Sequence, residues 1–526
     1  MEEFAKLLEN IIFSPSRNRK IELLVDYYHK TSDPDRGYAV ALITSNLKLS
    51  SFRSSDLKEL IKSRVDPILF DLSYDYVGDM AETISLLWPE NKKSKLCKLN
   101  FFVNFFLNKS KKEVKKFLIL QLDKASVTEK WAIIKLITGG LRIGVSKKNT
   151  KVSLSKYGNV NVDQIEKIWH GFSPPYEELF FWLENGGDPP KIDMLKTFHP
   201  MMLADQISNK NDFCELKPQD FDAEWKWDGI RVQIIISKNE TVVFSRNGDD
   251  ISNSFPELKF CSKKDVILDG ELLVGNNLNP TTFNEIQQRL NRKKVSKISL
   301  ERYPAFVRLY DILFYDSKDL RNLTFSNRRQ KLELWFEKNK QSKLDLSNII
   351  AFQSWQELTE IRKKFLRASS IYEGVMLKKK DSIYYNGRPK GMWLKWKRDP
   401  KFLDAVLMYA QRGHGKRSSY YSDYTFGVFN EETLVPIGKA YSGFTNVELD
   451  KLDKFVRKNT IKKFGPVREV EKKVIFEIAF DSIYKSKRHK SGLALRFPRI
   501  SRIRWDKSVT EIEDLKTIKD FYKISQ

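Results

Sequence analysis

The stretch AEWKWDGIRVQI, residues 223–234, has the pattern of two β-strands joined by a tight turn, and it carries a lysine where an apolar side chain is expected. Small and apolar residues lead to Lys226. Asp228 and Gly229 are typical of a turn, and after them β-branched residues alternate along 232–236 with the period of a strand. The role of Lys226 therefore decides how the chain is interpreted.

Lys226 has two alternative roles. A lysine directly before a turn is usually a surface charge. A nucleophilic lysine instead has to lose its proton near neutral pH, which burial or neighbouring cations promote. In that case we expect Trp225 and Trp227 to give Lys226 an apolar surround. The motif KxDG alone does not decide between the two.

The composition indicates a multidomain protein with a polyanionic partner. The chain has 526 residues and a formal net charge of +25, a length that suits about three domains. An excess of positive charge is typical of nucleic-acid-binding proteins, and a lysine-rich genome composition is the alternative. The three cysteines form no CxxC pair, which argues against a four-cysteine zinc site and disulfides and favours a reducing cytoplasm. The N-terminus has no long apolar run, so we expect neither a signal peptide nor a membrane span.

The periodicity of apolar residues changes along the chain. Residues 1–195 have apolar residues at i, i+3 and i+4 and predict an all-helical domain. Residues 196–399 have strand-like runs with two helical stretches and predict an α+β domain, whereas 400–526 predict a small β-barrel. The Gly- and Pro-rich stretch 185–203 is interpreted as a linker. Turns in the barrel are predicted at Gly413, Gly415 and Gly438.

Two predicted strands carry acidic residues beside glycine. LDGELL contains Asp269-Gly270-Glu271, and YEGVMLK begins with Glu373-Gly374. Two carboxylates at strand ends suit Mg²⁺, which prefers few carboxylates together with water and substrate phosphate. Glycine beside each carboxylate would let the backbone approach a ligand closely. The alternative for each acid is an ordinary turn residue.

Basic residues crowd two later segments. In WLKWKRDP, Lys395 and Lys397 share one face of a strand and would repel each other unless a polyphosphate lay between them. The alternative is a solvated edge strand with Trp393 and Trp396 on its other face. The segment SGLALRFPRISRIRWDK, residues 491–507, has four arginines suited to charge-assisted phosphate contacts: Arg496, Arg499, Arg502 and Arg504.

These motifs follow one another in the order KxDG, SRNG, DGE, YD, EGVMLK, LKxK and RFPR. In this set and order the chain resembles the covalent nucleotidyltransferase superfamily, and specifically the ATP-dependent DNA ligases. LITGGLRIGVS (136–146) and FHPMMLA (198–204) resemble the end of the ligases' helical DNA-binding domain and its junction with the catalytic core. SPSRNRK, DPDRGYAVALIT and NGRPKGMWLKWKRDP resemble more narrowly the LigB-type bacterial branch, the cisplatin-damage-response ligases, which are often encoded beside a helicase and a nuclease.

The resemblance implies a helical DNA-binding domain, a nucleotidyltransferase (adenylation) domain and an OB-fold barrel. It also implies a reaction in three steps with ATP and Mg²⁺ or Mn²⁺. Lys226 would attack the α-phosphate of ATP to give lysyl-AMP, AMP would move to the 5′-phosphate of a nick, and the 3′-hydroxyl would then displace AMP.

The resemblance further assigns roles at the nucleotide. Glu224 would contact adenine through its backbone, and Tyr310 would stack on the base in place of the more common phenylalanine. Arg231 and Arg246 would hold ribose and phosphate oxygens, and Glu271 would bind the ribose or the metal.

The remaining assignments concern the phosphates and DNA. Glu373 would bind the metal, and Lys395 and Lys397 would contact the α-phosphate. Many relatives have an arginine where this chain has Pro389, so Arg388 or Lys390 is expected to replace it. Arg496 and Arg499 would orient the pyrophosphate. The residues expected at DNA are Arg142, Arg412, Lys416 and Arg417.

The resemblance implies a monomer in the cytoplasm or nucleoid that acts on nicked duplex DNA in repair, replication or recombination. For the loop 411–419 the alternative is a solvated hairpin tip. The alternative functions are an RNA ligase, a capping guanylyltransferase, or a nick-binding protein without activity. The helical leader favours DNA, and the presence of Lys226, Glu271 and Glu373 favours catalysis. NAD⁺-dependent ligases match poorly, because three scattered cysteines cannot build their zinc module.

Overall fold

The structure is a computed structural model of the chain. It describes residues 1–49, 52–77, 79–89, 94–139, 141–207, 210–238, 240–290, 292, 295–369, 371–413, 420–464, 467–486 and 489–522. The chain divides into two compact units. The first consists of Met1–Val162, Pro174–Gly187 and Asp399–Gln526, and the second of Asp163–Ser173 and Asp188–Arg398. The limits expected for three domains stay a prediction.

The first third of the chain is helical, as its apolar period predicts. Local sequence sets several helix starts: Ser110 with Glu113 and Ser126 with Glu129 form capping boxes, in which each side chain bonds a backbone N–H of the other residue. No helix in the described residues is long and apolar enough to cross a membrane. The helices are α1 (Glu2–Phe13), α2 (Arg17–Lys30), α3 (Asp35–Ile43), α4 (Ser54–Lys62), α5 (Pro67–Val77), α6 (Met80–Leu87), α7 (Leu99–Asn108), α8 (Lys111–Lys124), α9 (Val127–Ile137), α10 (Lys147–Gly158), α11 (Val162–Ile168) and α12 (Glu177–Asn185).

The second unit contains two sheets, and the strand-like runs of the sequence form strands in them. In the described residues the first sheet has the order β1-β11-β10-β2-β9, and the second has β4-β3-β5-β6-β7 with β8 beside β6. The strands are β1 (Asp205–Gln206), β2 (Phe221–Trp227), β3 (Ile230–Ser237), β4 (Glu240–Ser245), β5 (Val266–Val274), β6 (Ala305–Tyr315), β7 (Lys318–Asp319), β8 (Leu344–Leu346), β9 (Ile349–Ile350), β10 (Tyr372–Lys379) and β11 (Trp393–Lys397). The helices of this region are α13 (Phe283–Gln287), α14 (Lys297–Arg302), α15 (Phe325–Lys338) and α16 (Trp355–Ala368).

The last part of the chain is rich in β-strands, as predicted. Strand β12 pairs with β13, β16 and β17, and the apolar core beneath them contains Tyr424, Phe426 and Phe476. The turn predicted at Gly438 is wrong, because this glycine lies within β14, opposite Phe426. The elements are β12 (Lys401–Arg412), β13 (Tyr421–Asn430), β14 (Thr433–Ala440), α17 (Asn446–Lys458), β15 (Thr460–Phe464), β16 (Val467–Val470), β17 (Ile475–Phe480), β18 (Ser482–Lys485), β19 (Leu493–Arg496), β20 (Arg499–Arg504) and α18 (Leu515–Phe521).

The C-terminal half of the predicted linker is packed into the second unit. Phe198, His199 and Met202 are buried. Gln233 brackets the backbone of His199, accepting from its N–H at 2.7 Å and donating to its carbonyl at 3.0 Å. The His199 ring lies with Nε2 2.9 Å from the carbonyl of Met194. This segment is therefore part of the fold rather than a solvated tether.

We expect His199 to make the protein sensitive to acid. Burial lowers the pKa of His199 to about 4, against the hydrogen bond to Met194, so the unfolded chain binds a proton that the folded chain does not. The free energy of unfolding should fall by about 1.4 kcal/mol per pH unit between pH 6.5 and 4 on account of this residue. Urea unfolding of wild type and His199→Gln across this range measures the difference. Parallel pH curves for the two proteins would contradict the assignment.

Candidate active site

A short turn carries the chain from one sheet of the second unit to the other. Strand β2 ends at Trp227 in the first sheet, and β3 begins at Ile230 in the second. A Cβ on Gly229 would lie 2.6 Å from the carbonyl oxygen of Leu272, so a larger residue cannot occupy the turn without displacing β5. Lys226 and Arg231 are thereby held on different sheets, on the two sides of one turn.

The ammonium group of Lys226 is paired with a carboxylate. Lys226 donates a hydrogen bond to Oε2 of Glu373, while Oε1 of Glu373 lies 2.6 Å from Nζ of Lys397. The side chains of Lys226 and Glu373 are 22% and 20% exposed, so solvent reaches both. Lys226 is therefore partly buried and ion-paired, and solvent still reaches its amine.

Strand register creates this arrangement. Gly374 lies opposite both Lys226 on β2 and Lys397 on β11, and β10 has an irregularity at Glu373. A Cβ on Gly374 would lie 2.2 Å from the carbonyl oxygen of Trp396. This glycine thus makes room for a neighbouring strand, and the expectation that it also lets a ligand approach stays a prediction. Gly270 does the same, since a Cβ there would lie 2.9 Å from the carbonyl oxygen of Arg308.

The electrostatics of Glu373 follow from its two lysine partners. Burial alone would raise its pKa, but the charges of Lys226 and Lys397 outweigh burial and hold the pKa at about 2. Glu373 is therefore ionised throughout the neutral range. It anchors both lysines at this point of the sheet.

The tryptophans beside Lys226 do not surround it. Alternation along β2 puts Trp225 and Trp227 on the opposite face of the strand. The ring of Trp225 lies 4.7 Å from both Phe365 and Tyr372, and Trp227 packs on Tyr372 at 5.0 Å. The expected apolar surround of Lys226 is wrong; its surroundings are charged.

Several cations converge near Lys395. Burial lowers the pKa of Lys395, and the charges of Arg388, Lys397, Lys226 and Arg246 lower it further. We call these five residues the cation cluster. They are brought together from β2, β11 and the segments after β4 and before β11, which supports a site for a polyanion such as a polyphosphate. Arg388, which is exposed like Lys390, adds to the positive charge at Lys395, and the choice of either residue as the replacement for the family arginine stays a prediction.

The alternative that β11 is a solvated edge strand is wrong. This strand lies between β1 and β10, so both of its edges are paired. Trp396 packs on Phe213 at 4.8 Å, whereas Trp393 contacts Tyr384 and Phe325 in a different apolar cluster. Trp393 therefore lies on the lysine face, and its predicted place beside Trp396 is wrong.

Glu271 is a partly buried residue on β5, opposite Arg231 of β3. Burial raises its pKa to about 8, against the charges of Lys226 and Arg231, while Glu373 and Asp269 add to the rise. No cluster of three metal-ligating His, Cys, Asp or Glu residues occurs among the described residues. The carboxylates of Glu271 and Glu373, beside cations able to hold a phosphate, form a donor set that suits Mg²⁺. Binding of a metal ion there would release the proton of Glu271.

Arg231 makes its hydrogen bonds to protein groups. Its guanidinium contacts both carboxylate oxygens of Asp269, at 3.1 and 2.5 Å, and donates to the carbonyl of Met202 at 2.5 Å. Asp269 is fully buried and also accepts from the hydroxyl of Tyr384 at 2.7 Å. The sequence patterns predict no role for Met202 or Tyr384; the acid of the DGE motif, within an apolar run, is the signal for a network of partners. The predicted contact of Arg231 with ribose or phosphate stays a prediction.

Glu224 lies on β2 of the first sheet, and Tyr310 lies on β6 of the second. The Glu224 side chain is buried on β2, and its Oε1 accepts from Lys378 at 2.8 Å. Tyr310 on β6 is partly exposed, and its hydroxyl lies 3.4 Å from Asp269. The predicted contacts of Glu224 and Tyr310 with a base stay predictions.

The other predicted residues lie in the first unit. Arg142 is exposed after α9, and the guanidinium of Arg412 lies 5.9 Å from the ring of Tyr421. Arg496 lies 5.3 Å from the ring of Phe497, and Arg499 pairs with Asp481 at 3.4 Å. Their roles stay predictions. Lys416 and Arg417 lie outside the described residues.

Comparison with known proteins identifies the family. A model described as the ATP dependent DNA ligase domain matches residues 201–397, and one described as the ATP dependent DNA ligase C terminal region matches 417–507. A probable DNA ligase of Koribacter versatilis (strain Ellin345) is 31% identical over 565 residues, covering 99% of this chain and 96% of that protein. This chain belongs to the ATP-dependent DNA ligases. The resemblance of its motifs to this family is thereby confirmed.

Other ligases match over the same length. A DNA ligase of Methanococcus maripaludis (strain C5) is 30% identical over 576 residues, covering 100% of this chain and 99% of that protein. The solved structure of Pmar-Lig_PreS3 has a TM-score of 0.60 at 18% identity and covers 95% of this chain and 99% of that one, which shows a shared fold. The ligase architecture of a helical N-terminal region, a nucleotidyltransferase region and an OB-like C-terminal β region agrees with the predicted fold class. The narrower LigB-type branch stays a prediction.

Proposed function

We propose that this protein seals nicks in duplex DNA, joining a 5′-phosphate to a 3′-hydroxyl at the expense of ATP. The observation that carries the proposal is the position of Lys226, a solvent-reached amine within a cluster of cations that can hold a polyphosphate. A DNA-binding domain in the helical region and an OB-fold barrel in the C-terminal β region complete the proposal.

The first step uses Lys226 as nucleophile. Its amine nitrogen attacks the α-phosphorus of ATP, a P–N bond forms, the P–O bond to pyrophosphate breaks, and the nitrogen loses its proton. Lys226 has to leave Glu373 before it can attack, and the arriving α-phosphate can take over contacts with Lys395 and Lys397. In the later steps the 5′-phosphate oxygen of the nick displaces the lysine, and the 3′-hydroxyl then displaces AMP.

Mg²⁺ or Mn²⁺ would be held by Glu373 and Glu271 together with phosphate oxygens. When bound, the metal supplies charge neutralisation at the phosphates. The residues of the chain orient the α-phosphate and keep the nucleophile beside it.

The experiment that tests the function offers the purified protein three substrates. With ATP and Mg²⁺ we expect sealing of a nicked DNA duplex that carries a 5′-phosphate, and none when that phosphate is missing. Faster sealing of an equivalent nicked RNA duplex would favour the RNA ligase alternative. An AMP adduct without sealing of either substrate would overturn the proposal.

We further propose that the protein works as a monomer on DNA in the cytoplasm or nucleoid. A helicase and a nuclease would be its functional partners in DNA repair, replication or recombination. Membership of the DNA ligase family supports the action on DNA. The helicase and nuclease are proposed because the motifs resemble those of the LigB-type branch.

We expect nick binding to depend steeply on salt. Each phosphate that a Lys or Arg neutralises releases counterions and contributes about 0.9 to the log–log slope. Replacing Arg412, Lys416 and Arg417 together by alanine should flatten the slope by up to about 3 units and leave lysyl-AMP formation intact. Affinity measured from low to high salt by fluorescence anisotropy gives the slope.

A charge-matched control removes three exposed lysines on or near α15: Lys331, Lys338 and Lys340. That variant should keep the wild-type slope. An unchanged slope in the loop variant would mean that the loop 411–419 is a solvated hairpin tip.

A further inference from the structure

Lys378 is the buried lysine that ends the EGVMLK motif, and none of the roles assigned above uses it. It lies on β10, and its side chain is only 2% exposed. Its ammonium group donates to Oε1 of Glu224 at 2.8 Å and to the carbonyl oxygen of Tyr310 at 3.2 Å. Lys378 therefore binds one residue from each of the two sheets, since Glu224 is on β2 and Tyr310 is on β6.

Aromatic rings enclose the same ammonium group. Its nitrogen lies 4.4 Å from the ring centre of Tyr310, 4.8 Å from that of Trp393 and 4.9 Å from that of Phe325. Such contacts of a cation with ring faces are attractive and directional. The lysine is thus fixed in direction by rings and by two hydrogen bonds.

A buried ion pair is an expensive way to fill this space. Desolvation costs a buried ion several kcal/mol, and apolar residues of similar volume often stabilise a protein equally well. Burial accordingly lowers the pKa of Lys378, and the charge of Glu224 opposes that shift. A methionine could occupy the volume between the rings without this cost. The ion pair is therefore better explained by what it positions than by stability alone.

We propose that Lys378 is a positioning residue for the nucleotide base. The proposal rests on the proposed function, in which Glu224 and Tyr310 border the adenine of ATP. By bonding the side chain of Glu224 and the carbonyl of Tyr310, Lys378 sets the distance between β2 and the aromatic ring on which the base stacks. Lys378 lies on the strand that carries Glu373, but it bonds to Glu224 and Tyr310, the residues proposed to contact the base.

This geometry separates binding from chemistry. The Lys378 ammonium donates to Glu224 and Tyr310, whereas Lys226 and Lys397, the lysines placed at the α-phosphate, both pair with Glu373. Loss of Lys378 should therefore weaken the hold on the base and leave the reaction of bound ATP nearly unchanged. Because adenine and guanine differ only in the groups on the ring, a loosened base site should also discriminate less between ATP and GTP.

The test compares Lys378→Met with Lys379→Met. Lys379 is the next residue on β10, is partly exposed, and pairs with Asp381 at 3.1 Å. Self-adenylylation is measured over a range of ATP and GTP concentrations. For Lys378→Met we expect KM for ATP to rise by about ten- to hundredfold, with kcat within about threefold of wild type and a smaller preference for ATP over GTP. Lys379→Met should match wild type in all three.

A second variant protects the test against loss of folding. Lys378→Met removes the hydrogen-bonded partner of the buried Glu224 carboxylate and leaves Arg329 at 3.9 Å, which is destabilising. The double variant Glu224→Gln/Lys378→Met removes that charge and should regain much of the thermal stability while keeping the raised KM.

The outcomes separate the inference from the proposed function. An unchanged KM and ATP preference in a folded Lys378→Met or double variant would show that Lys378 is only structural, and would overturn the inference. A wild-type protein that forms no AMP adduct would overturn the proposed function instead. Sealing by enzyme that has first been charged at saturating ATP should stay within about threefold of wild type, because base capture is complete by then; a large loss there would also contradict the inference.

Discussion

Lys226→Ala is expected to form no lysyl-AMP and to seal no nicks with ATP. The reason is chemical: alanine offers no nitrogen for the P–N bond. Lys226→Arg should fail as well, because a guanidinium group stays protonated at any accessible pH. Mass spectrometry after incubation with ATP and Mg²⁺ detects the adduct, and a gel assay of a labelled nick detects sealing.

A matched control for this substitution is Lys380→Ala. Lys380 is a more exposed lysine just after β10 that pairs with Asp222 at 3.7 Å, outside the cation cluster. It should keep both activities. An AMP adduct of undiminished yield in Lys226→Ala would exclude Lys226 as the nucleophile.

Glu373→Ala is expected to slow every chemical step by about 100-fold or more. Its carboxylate anchors two lysines at once and is one of two proposed metal ligands, so its loss removes both the order of the cations and the neutralisation of phosphate charge. Single-turnover assays measure adenylylation, transfer of AMP to the nick, and sealing of a pre-adenylylated nick separately.

Glu360→Ala on α16 is a suitable control, because the Glu360 side chain is 67% exposed and pairs at 2.9 Å with Lys363, three residues further along the same helix. Normal transfer of AMP to the nick together with normal sealing of a pre-adenylylated nick by Glu373→Ala would confine the residue to the first step. Its role would then be to position Lys226 rather than to hold a metal.

The sequence predicts the strands that carry the site because their apolar residues alternate. β3, β5, β6, β10 and β11 form where the alternating runs predict them. Helix α16 is not among the predicted elements, although Ser354 caps its start by accepting from the backbone N–H of Glu357, which is a local signal in the sequence.

The same alternation could have corrected two predictions at the site. Trp225 and Trp227 are the immediate neighbours of Lys226 in the sequence, and neighbouring residues on a strand lie on opposite faces. Trp393 is two positions from Lys395, which means the same face. Both errors come from not applying the two-residue period of a strand to these side chains.

Other features could not be derived from the sequence, because they depend on which strands become neighbours. The pairing of Lys226 with Glu373 requires β2 beside β10, and nothing in either motif states that order. The hydrogen bonds of Arg231 to Met202 and of Tyr384 to Asp269 likewise join segments that are far apart in the chain. The glycines beside the carboxylates are explained by strand contacts that only the fold reveals.

The resting ion pair of Lys226 bears on covalent inhibitors. Acylating and aldehyde reagents that target lysines have to reach the amine nitrogen, and in the structure the Glu373 carboxylate holds that nitrogen in a hydrogen bond. The contact with Glu373 therefore shields the lysine proposed as nucleophile from such reagents. A useful lysine-directed compound would have to carry its own anionic group to displace Glu373, and would then gain selectivity over the many surface lysines of the same chain.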